Sequence, residues 1–118
     1  MKKVLLDTNF LIDSVRFRIG LEEIGKLVDE QYKILTLDRV MEELKSIGNK
    51  NAKTALKLIE IENIGIVKAK GKNVDKALID FADKDTIIAT NDAKLRKRLK
   101  SLGVKTIYLR KRKYLAIS

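Results

Sequence analysis

Val4-Leu5-Leu6-Asp7-Thr8-Asn9 is the stretch whose reading decides the fold. An uninterrupted apolar run meets a carboxylate, a hydroxyl and an amide. A short apolar run with a polar boundary reads as a buried strand. In open α/β sheets, ligands bind beyond the carboxyl ends of such strands. Thr86-Ile87-Ile88-Ala89, followed by Thr90-Asn91-Asp92, repeats the arrangement. Two parallel strands ending in this way bring two carboxylates to one crevice. The chain has no His and no Cys. Clustered carboxylates therefore offer hard oxygen donors, and Mg²⁺ or Mn²⁺ is the fitting cation.

Outward from these two stretches, strands and helices alternate. Strands are predicted at Lys3–Leu6, Lys33–Thr36, Gly65–Lys68, Thr86–Thr90 and Thr106–Leu109. Helices are predicted at Asn9–Val15, Leu21–Glu30, Asp38–Ile47, Lys50–Glu60, Val74–Ala82 and Ala93–Leu102. Such alternation predicts an α/β domain with a parallel sheet of about five strands and helices on both faces. The 118 residues suit one domain, 1–118, with no linker or internal repeat. Asp38 is expected to cap the helix that follows it, and Gly48 and Gly103 to end two helices.

Composition narrows the function classes. Hydrophobic residues make up 45%, too many for a disordered chain. No apolar run approaches the roughly 20 residues needed to cross a bilayer. Met1-Lys2-Lys3 leads directly into a strand without a signal-peptide pattern, so a cytoplasmic location is the default expectation. Zero Pro, few aromatics and many Lys and Ile give a thermophile-like composition. The net charge is +10, and residues 91–118 hold ten Lys or Arg against one acid, so this last quarter carries +9 of it. A positive field of that kind suits a polyanion, with nucleic acid the usual one. Leu95, Leu99 and Leu102 recur at helical spacing, so the helix there should bury leucines and present a basic face.

A helical wheel sorts the acids. Asp75 falls within the apolar face made by Val74, Leu78, Phe81 and Ala82, where a carboxylate is costly unless paired or bound to a metal. Glu43 sits at the rim of the face made by Val40, Leu44 and Ile47, whereas Glu42 points away. Asp7 and Asp92 stand at strand ends, where capping a helix and holding a metal are compatible roles. Asp13 and the remaining acids read as helix surface or turn.

Taken together, Leu5-Leu6-Asp7-Thr8-Asn9, Val40-Met41-Glu42-Glu43-Leu44, Val74-Asp75-Lys76-Ala77-Leu78-Ile79 and Ile88-Ala89-Thr90-Asn91-Asp92 resemble the PIN-domain ribonucleases. Each motif is short, but four in the family's order cover essentially the whole chain. Two branches are similar: the VapC-type toxins of toxin–antitoxin pairs and the PIN proteins of small-subunit rRNA processing. The second is closer by eye in Val40–Gly48 and in Ile88–Tyr108.

The resemblance implies a three-layer α/β/α fold and Mg²⁺- or Mn²⁺-dependent cleavage of single-stranded RNA. It assigns the acidic quartet to Asp7, Glu43, Asp75 and Asp92, with supporting polar roles for Thr8, Asn9 and Thr90. Asp7 and Asp92 are expected as direct metal ligands, with Glu43 and Asp75 completing the shell or acting through water. Lys94, Arg96, Lys97, Arg98, Lys100, Arg110, Lys111, Arg112 and Lys113 are the expected RNA-backbone contacts. Tyr108 and Tyr114 are read as packing residues rather than as base-stacking ones. The implied partners are RNA, an antitoxin or a ribosome-assembly factor, and a second copy of the chain. One departure stands out: where many members carry a further Asp two residues after the last acid, this chain has Lys94. That exchange is expected to weaken a second metal while leaving the quartet whole. It also leaves room for a competing class, a PIN-fold RNA-binding scaffold without chemistry. A signalling receiver domain needs an acid at the end of the third strand, and Ile66-Val67-Lys68-Ala69-Lys70 has none.

Overall fold

A computed structural model describes residues 1–118. In chain order the elements are β1 Lys2–Leu6, α1 Thr8–Arg16, a 3-10 helix Leu21–Lys26, β2 Tyr32–Leu37, α2 Asp38–Ile47 and α3 Lys50–Ile61. Then follow β3 Gly65–Val67, α4 Val74–Phe81, β4 Thr86–Ala89, α5 Ala93–Ser101, β5 Lys105–Arg110 and β6 Tyr114–Ile117.

The strands form one sheet in the order β3-β2-β1-β4-β5-β6. The first five are parallel, and β6 is antiparallel to β5. From β1 the chain moves outward to β2 and β3, then returns across the sheet to β4 and continues to β5. Right-handed crossovers therefore place α1, α2 and α3 on one face and α4 and α5 on the other. The direction of travel reverses between β1 and β4, and open α/β sheets bind ligands at that position.

The expected central strands behave as read. Val4, Leu5, Leu6, Ile88 and Ala89 are fully buried, together with Phe10, Leu11, Leu44, Leu78, Leu99 and Ile107. The sheet end is closed by polar groups. Thr36 Oγ1 donates to the Leu6 carbonyl at 2.8 Å, and the Asp7 amide donates to the Ala89 carbonyl at 2.9 Å. Gly48 ends α2 with φ +63°, a conformation open to glycine at little cost.

Three expectations are corrected. Leu21–Glu30 is not an α-helix but the 3-10 helix Leu21–Lys26. Its buried Leu21 and Ile24 are three residues apart, which suits a three-residue turn, and Gly25 weakens an α-helix there. The sheet has a sixth strand, Tyr114–Ile117, which buries Leu115. It follows the turn Arg110–Lys113, whose residues lack the usual hairpin signature. Asp38 is the first residue of α2 rather than its cap, a position held by Leu37 without a side-chain bond, and its Oδ1 accepts from the Arg39 amide at 2.8 Å and the Ala69 amide at 2.9 Å. It thus ties α2 to the segment that leaves β3.

Phe10→Ala should remove about 3–5 kcal/mol by opening a cavity under α1. Thermal unfolding should show a Tm roughly 10–20 °C lower. An unchanged Tm would mean that α1 is not seated on this core.

Candidate active site

Asp7 follows β1 and caps α1, its Oδ1 accepting from the Thr8 amide at 2.8 Å. Its Oδ2 accepts from Thr90 Oγ1 at 2.7 Å and from Asn9 Nδ2 at 3.3 Å. The residue is only 4% exposed. Thr90 follows β4, so this bond crosses the gap between β1 and β4. The same hydroxyl oxygen accepts from the Asp92 amide at 3.2 Å, placing Asp92 at the start of α5. Asp92 Oδ1 accepts from the Lys94 and Leu95 amides at 2.9 and 3.3 Å, so the cap occupies one carboxyl oxygen. Thr8 Oγ1 donates to Glu43 Oε1 at 2.6 Å and draws α2 toward the site.

Asp75 stands in the first turn of α4, and its surroundings correct the sequence reading. The side chain is exposed, and Asn73 rather than Asp75 caps the helix, accepting from the Lys76 amide at 2.9 Å. Ala77 and Leu78 carry the buried face. Asp75 and Glu43 line one open cavity of about 550 Å³ with Arg39 and Lys72. Asp75 also borders a second, of about 520 Å³, with Lys94, Lys97 and Arg98 of α5. Acidic and basic surfaces therefore meet at this residue. A larger concavity of about 700 Å³ lies between α2, α3 and β3, contains none of the four acids and is lined by apolar residues, three lysines, Glu60 and Asn63.

The electrostatics show that the acids sense one another. Burial pushes the Asp7 carboxyl up to about 6, with the charges of Asp75 and Glu43 adding to the effect. The Thr90 hydroxyl and the Thr8 amide oppose it. Asp75 is also raised, first by partial desolvation and then by Asp92 and Glu43, against Arg98. No three of the acids stand close enough to form a ready-made cage. The donor set nonetheless fits Mg²⁺ or Mn²⁺, because magnesium is commonly held by one or two carboxylates, waters and substrate phosphates.

Two residues of the site escaped the sequence reading. Asn9 Oδ1 accepts from the Asn91 amide at 2.9 Å. The Asn91 side chain donates to Asp13 Oδ2 at 3.0 Å and accepts from the Leu109 amide at 2.7 Å. Asn91 thus joins α1, β4 and β5, and Asp13 is half-buried rather than plain surface. The four-residue spacing of Asn9 and Asp13 on one helix was the available signal.

Of the expected RNA contacts, Lys94, Lys97, Arg98 and Lys100 are exposed on α5, and Arg110–Lys113 form the exposed tip between β5 and β6. Arg96 differs. Its guanidinium lies 3.9 Å from the centre of the Tyr108 ring, and its Nε is buried without a hydrogen-bond partner. Arg96 and Tyr108 pack on each other.

The fold and site define an α/β/α domain with a buried Asp7 at the reversal point of its sheet and Glu43, Asp75 and Asp92 on the elements around it. The family model described as a PIN-like domain matches residues 4–112, and the chain belongs to that family. Among curated relatives, Ribonuclease VapC4 of Methanocaldococcus jannaschii is 28% identical over 127 residues, covering 99% of this chain and 97% of that protein. The solved PIN domain endonuclease Utp24 superposes with a TM-score of 0.85 at 24% identity, covering 98% of this chain and 90% of its own. VapBC-1 from nontypeable Haemophilus influenzae gives 0.50 at 12% identity, over 84% and 93% of the two chains. No helix is long and apolar enough to cross a membrane.

The folded value of Asp7 lies above the ordinary 3.8, so the folded state holds this proton more tightly than the unfolded chain. Its contribution to stability is full below about pH 4 and is lost as pH rises through about 6. Asp7→Asn should therefore stabilise the metal-free protein at pH 7 by up to about 3 kcal/mol and flatten the pH 4–6 profile. Thermal melts in EDTA read this directly, and a lower Tm for the variant at pH 7 would contradict it.

Proposed function

We propose that the chain is a metal-dependent endoribonuclease that hydrolyses phosphodiester bonds in single-stranded RNA. The observation that carries this reading is the buried Asp7 carboxylate, bonded to Thr90 across the β1–β4 gap, with Glu43 held nearby through Thr8. Relatives named ribonuclease and endonuclease support it.

Asp7 and Asp92 are the residues that would hold Mg²⁺ or Mn²⁺, with Glu43 and Asp75 completing the shell directly or through water. A bound divalent ion supplies an acidified water and charge stabilisation on the phosphate. The chain's own residues do the rest. Thr8, Asn9 and Thr90 fix the carboxylates. With no histidine present, no imidazole serves as general base. Lys94, Lys97 and Arg98 border the concavity that reaches Asp75, where they bind backbone phosphates without reading sequence. Lys94 places a cation where the resemblance expects a further carboxylate, so a site centred on one ion is the simpler arrangement.

The biological setting is proposed as one of two: small-subunit rRNA processing with ribosome-assembly partners, or a VapC-type toxin with an antitoxin. The resemblance in Val40–Gly48 and Ile88–Tyr108 supports the first, and the sequence match to a relative named VapC4 supports the second. The Lys94 exchange favours one further reading, an RNA-binding scaffold that retains the fold and has lost the chemistry.

A labelled single-stranded RNA incubated with Mn²⁺ or Mg²⁺ separates these readings. The wild-type chain should cut it, EDTA should stop the reaction, and Asp7→Asn should slow it at least 100-fold. RNA affinity of the variant should stay within about threefold, because base-independent contacts to the backbone remain. Tight binding by the wild type without any cutting would install the scaffold reading instead. Saturating Mn²⁺ should also raise the wild-type Tm, since only the folded chain assembles the site.

A further inference from the structure

Asn9, Asp13 and Phe17 are one helical step of four residues apart and share one side of α1 and its end. Asn9 and Asp13 meet Asn91 at the end of β4, and Phe17 meets the β5–β6 tip, where the Arg112 guanidinium lies 5.5 Å from the ring centre. The Arg16 guanidinium lies 5.0 Å from the same ring. The side of α1 that begins at the acidic site therefore ends at a corner where Arg16 and Arg112 lie over Phe17, with Arg18 next along the chain and Arg110, Lys111 and Lys113 in the turn that carries Arg112. Residues 16–18 and 110–113 together hold six basic residues and no acid.

The backbone there is unusual. Only four non-glycine residues have positive φ: Arg18 at 56°, Asn63 at 51°, Lys111 at 54° and Arg112 at 55°. Three of the four are basic and lie in this corner. Arg18 sits where helix α1 ends, with the Arg18 and Ile19 amides donating to the Val15 and Ser14 carbonyls. Glycine ordinarily occupies that position. Lys111 and Arg112 are the central residues of a turn closed by the Lys113 amide on the Arg110 carbonyl at 3.1 Å. Positive φ at both positions is the mark of a type I′ turn, which favours Asn-Gly. Cationic side chains thus occupy three positions where smaller residues relieve strain, and strain of this kind clusters at functional segments.

We infer that Arg16, Arg18 and Arg110–Lys113, brought to the end of α1 where Arg16 and Arg112 lie over Phe17, form a second anchor for the phosphate backbone of single-stranded RNA, held by α1 roughly 15 Å from Asp7. This inference rests on the RNA-cleaving reading of the acidic site and adds a second point of grip distinct from α5. The Arg112–Phe17 contact and the turn fix the tip before RNA arrives, so less ordering is needed on binding. A strand that spans both points is held under the carboxylates, whereas a strand of a few nucleotides reaches only one.

The test is Lys111→Asn with Arg112→Gly, and separately Arg18→Gly, measured against the wild type in EDTA. The probe is a fluorescent oligouridylate of ~12 nucleotides, within the span of known single-strand sites. Removing two phosphate contacts should lower the slope of log affinity against log salt by about 1.4, and Arg18→Gly should lower it by about 0.7. Melts on the same samples should show Tm unchanged or higher, because both variants relieve positive-φ strain. In Mn²⁺, cleavage of the long probe should weaken through KM with little change in kcat.

An unchanged salt slope overturns the anchor whether or not RNA is cut. A falling slope with no cleavage by the wild type keeps the anchor and removes the nuclease reading. A falling slope accompanied by a lower Tm overturns it as well, because the corner would then be structural. Absence of RNA binding by the wild type overturns both readings.

Discussion

The hydrogen bond from Thr90 to Asp7 is the constraint on which the rest of the site depends. It joins the ends of two neighbouring parallel strands at the place where the sheet reverses direction. A carboxylate that is almost fully buried needs compensating donors. Asp7 has the Thr90 hydroxyl, the Thr8 amide and the Asn9 side chain. Those donors do not cancel the burial, and the carboxyl stays well above its ordinary range. A charge compensated this incompletely is stabilised by a proton or by any cation that reaches it.

From that bond the other elements fall into place. Thr8 reaches Glu43 on α2, Thr90 positions the Asp92 amide at the start of α5, and Asn91 ties α1 to β5. The acids come from four different elements, so no single helix or strand could assemble them. Hydrogen bonds draw Asp7 and Glu43 toward one crevice, and the charges of Asp92 and Glu43 raise the Asp75 carboxyl.

Charge is arranged around this crevice in two separate places. The exposed face of α5 borders the same concavity as Asp75, and the β5–β6 tip stands at the far end of α1. Arg96 belongs to neither, because its guanidinium stacks on Tyr108 within the fold. Sequence position alone could not separate it from Lys94 or Lys97. In one helix, a basic residue next to the buried stripe packs its stem inward, and one further round reaches solvent.

The sequence by itself determined the α/β class, the central strands β1 and β4 and most helix boundaries. Apolar runs, helical periodicity and stop signals such as Gly48 are local properties, and local physics is enough to read them. It also marked Asp7 and Asp92, since a polar triplet after a buried strand is itself a local signal. The tertiary structure alone decided which groups meet. The Asn91 bridge, the exposure of Asp75, the double role of Asp38 and the stacking of Arg96 all depend on partners distant in the chain. The sixth strand is of the same kind. Tyr114–Ile117 is too short to declare itself, and it becomes a strand because β5 offers an unpaired edge whose amides and carbonyls require partners.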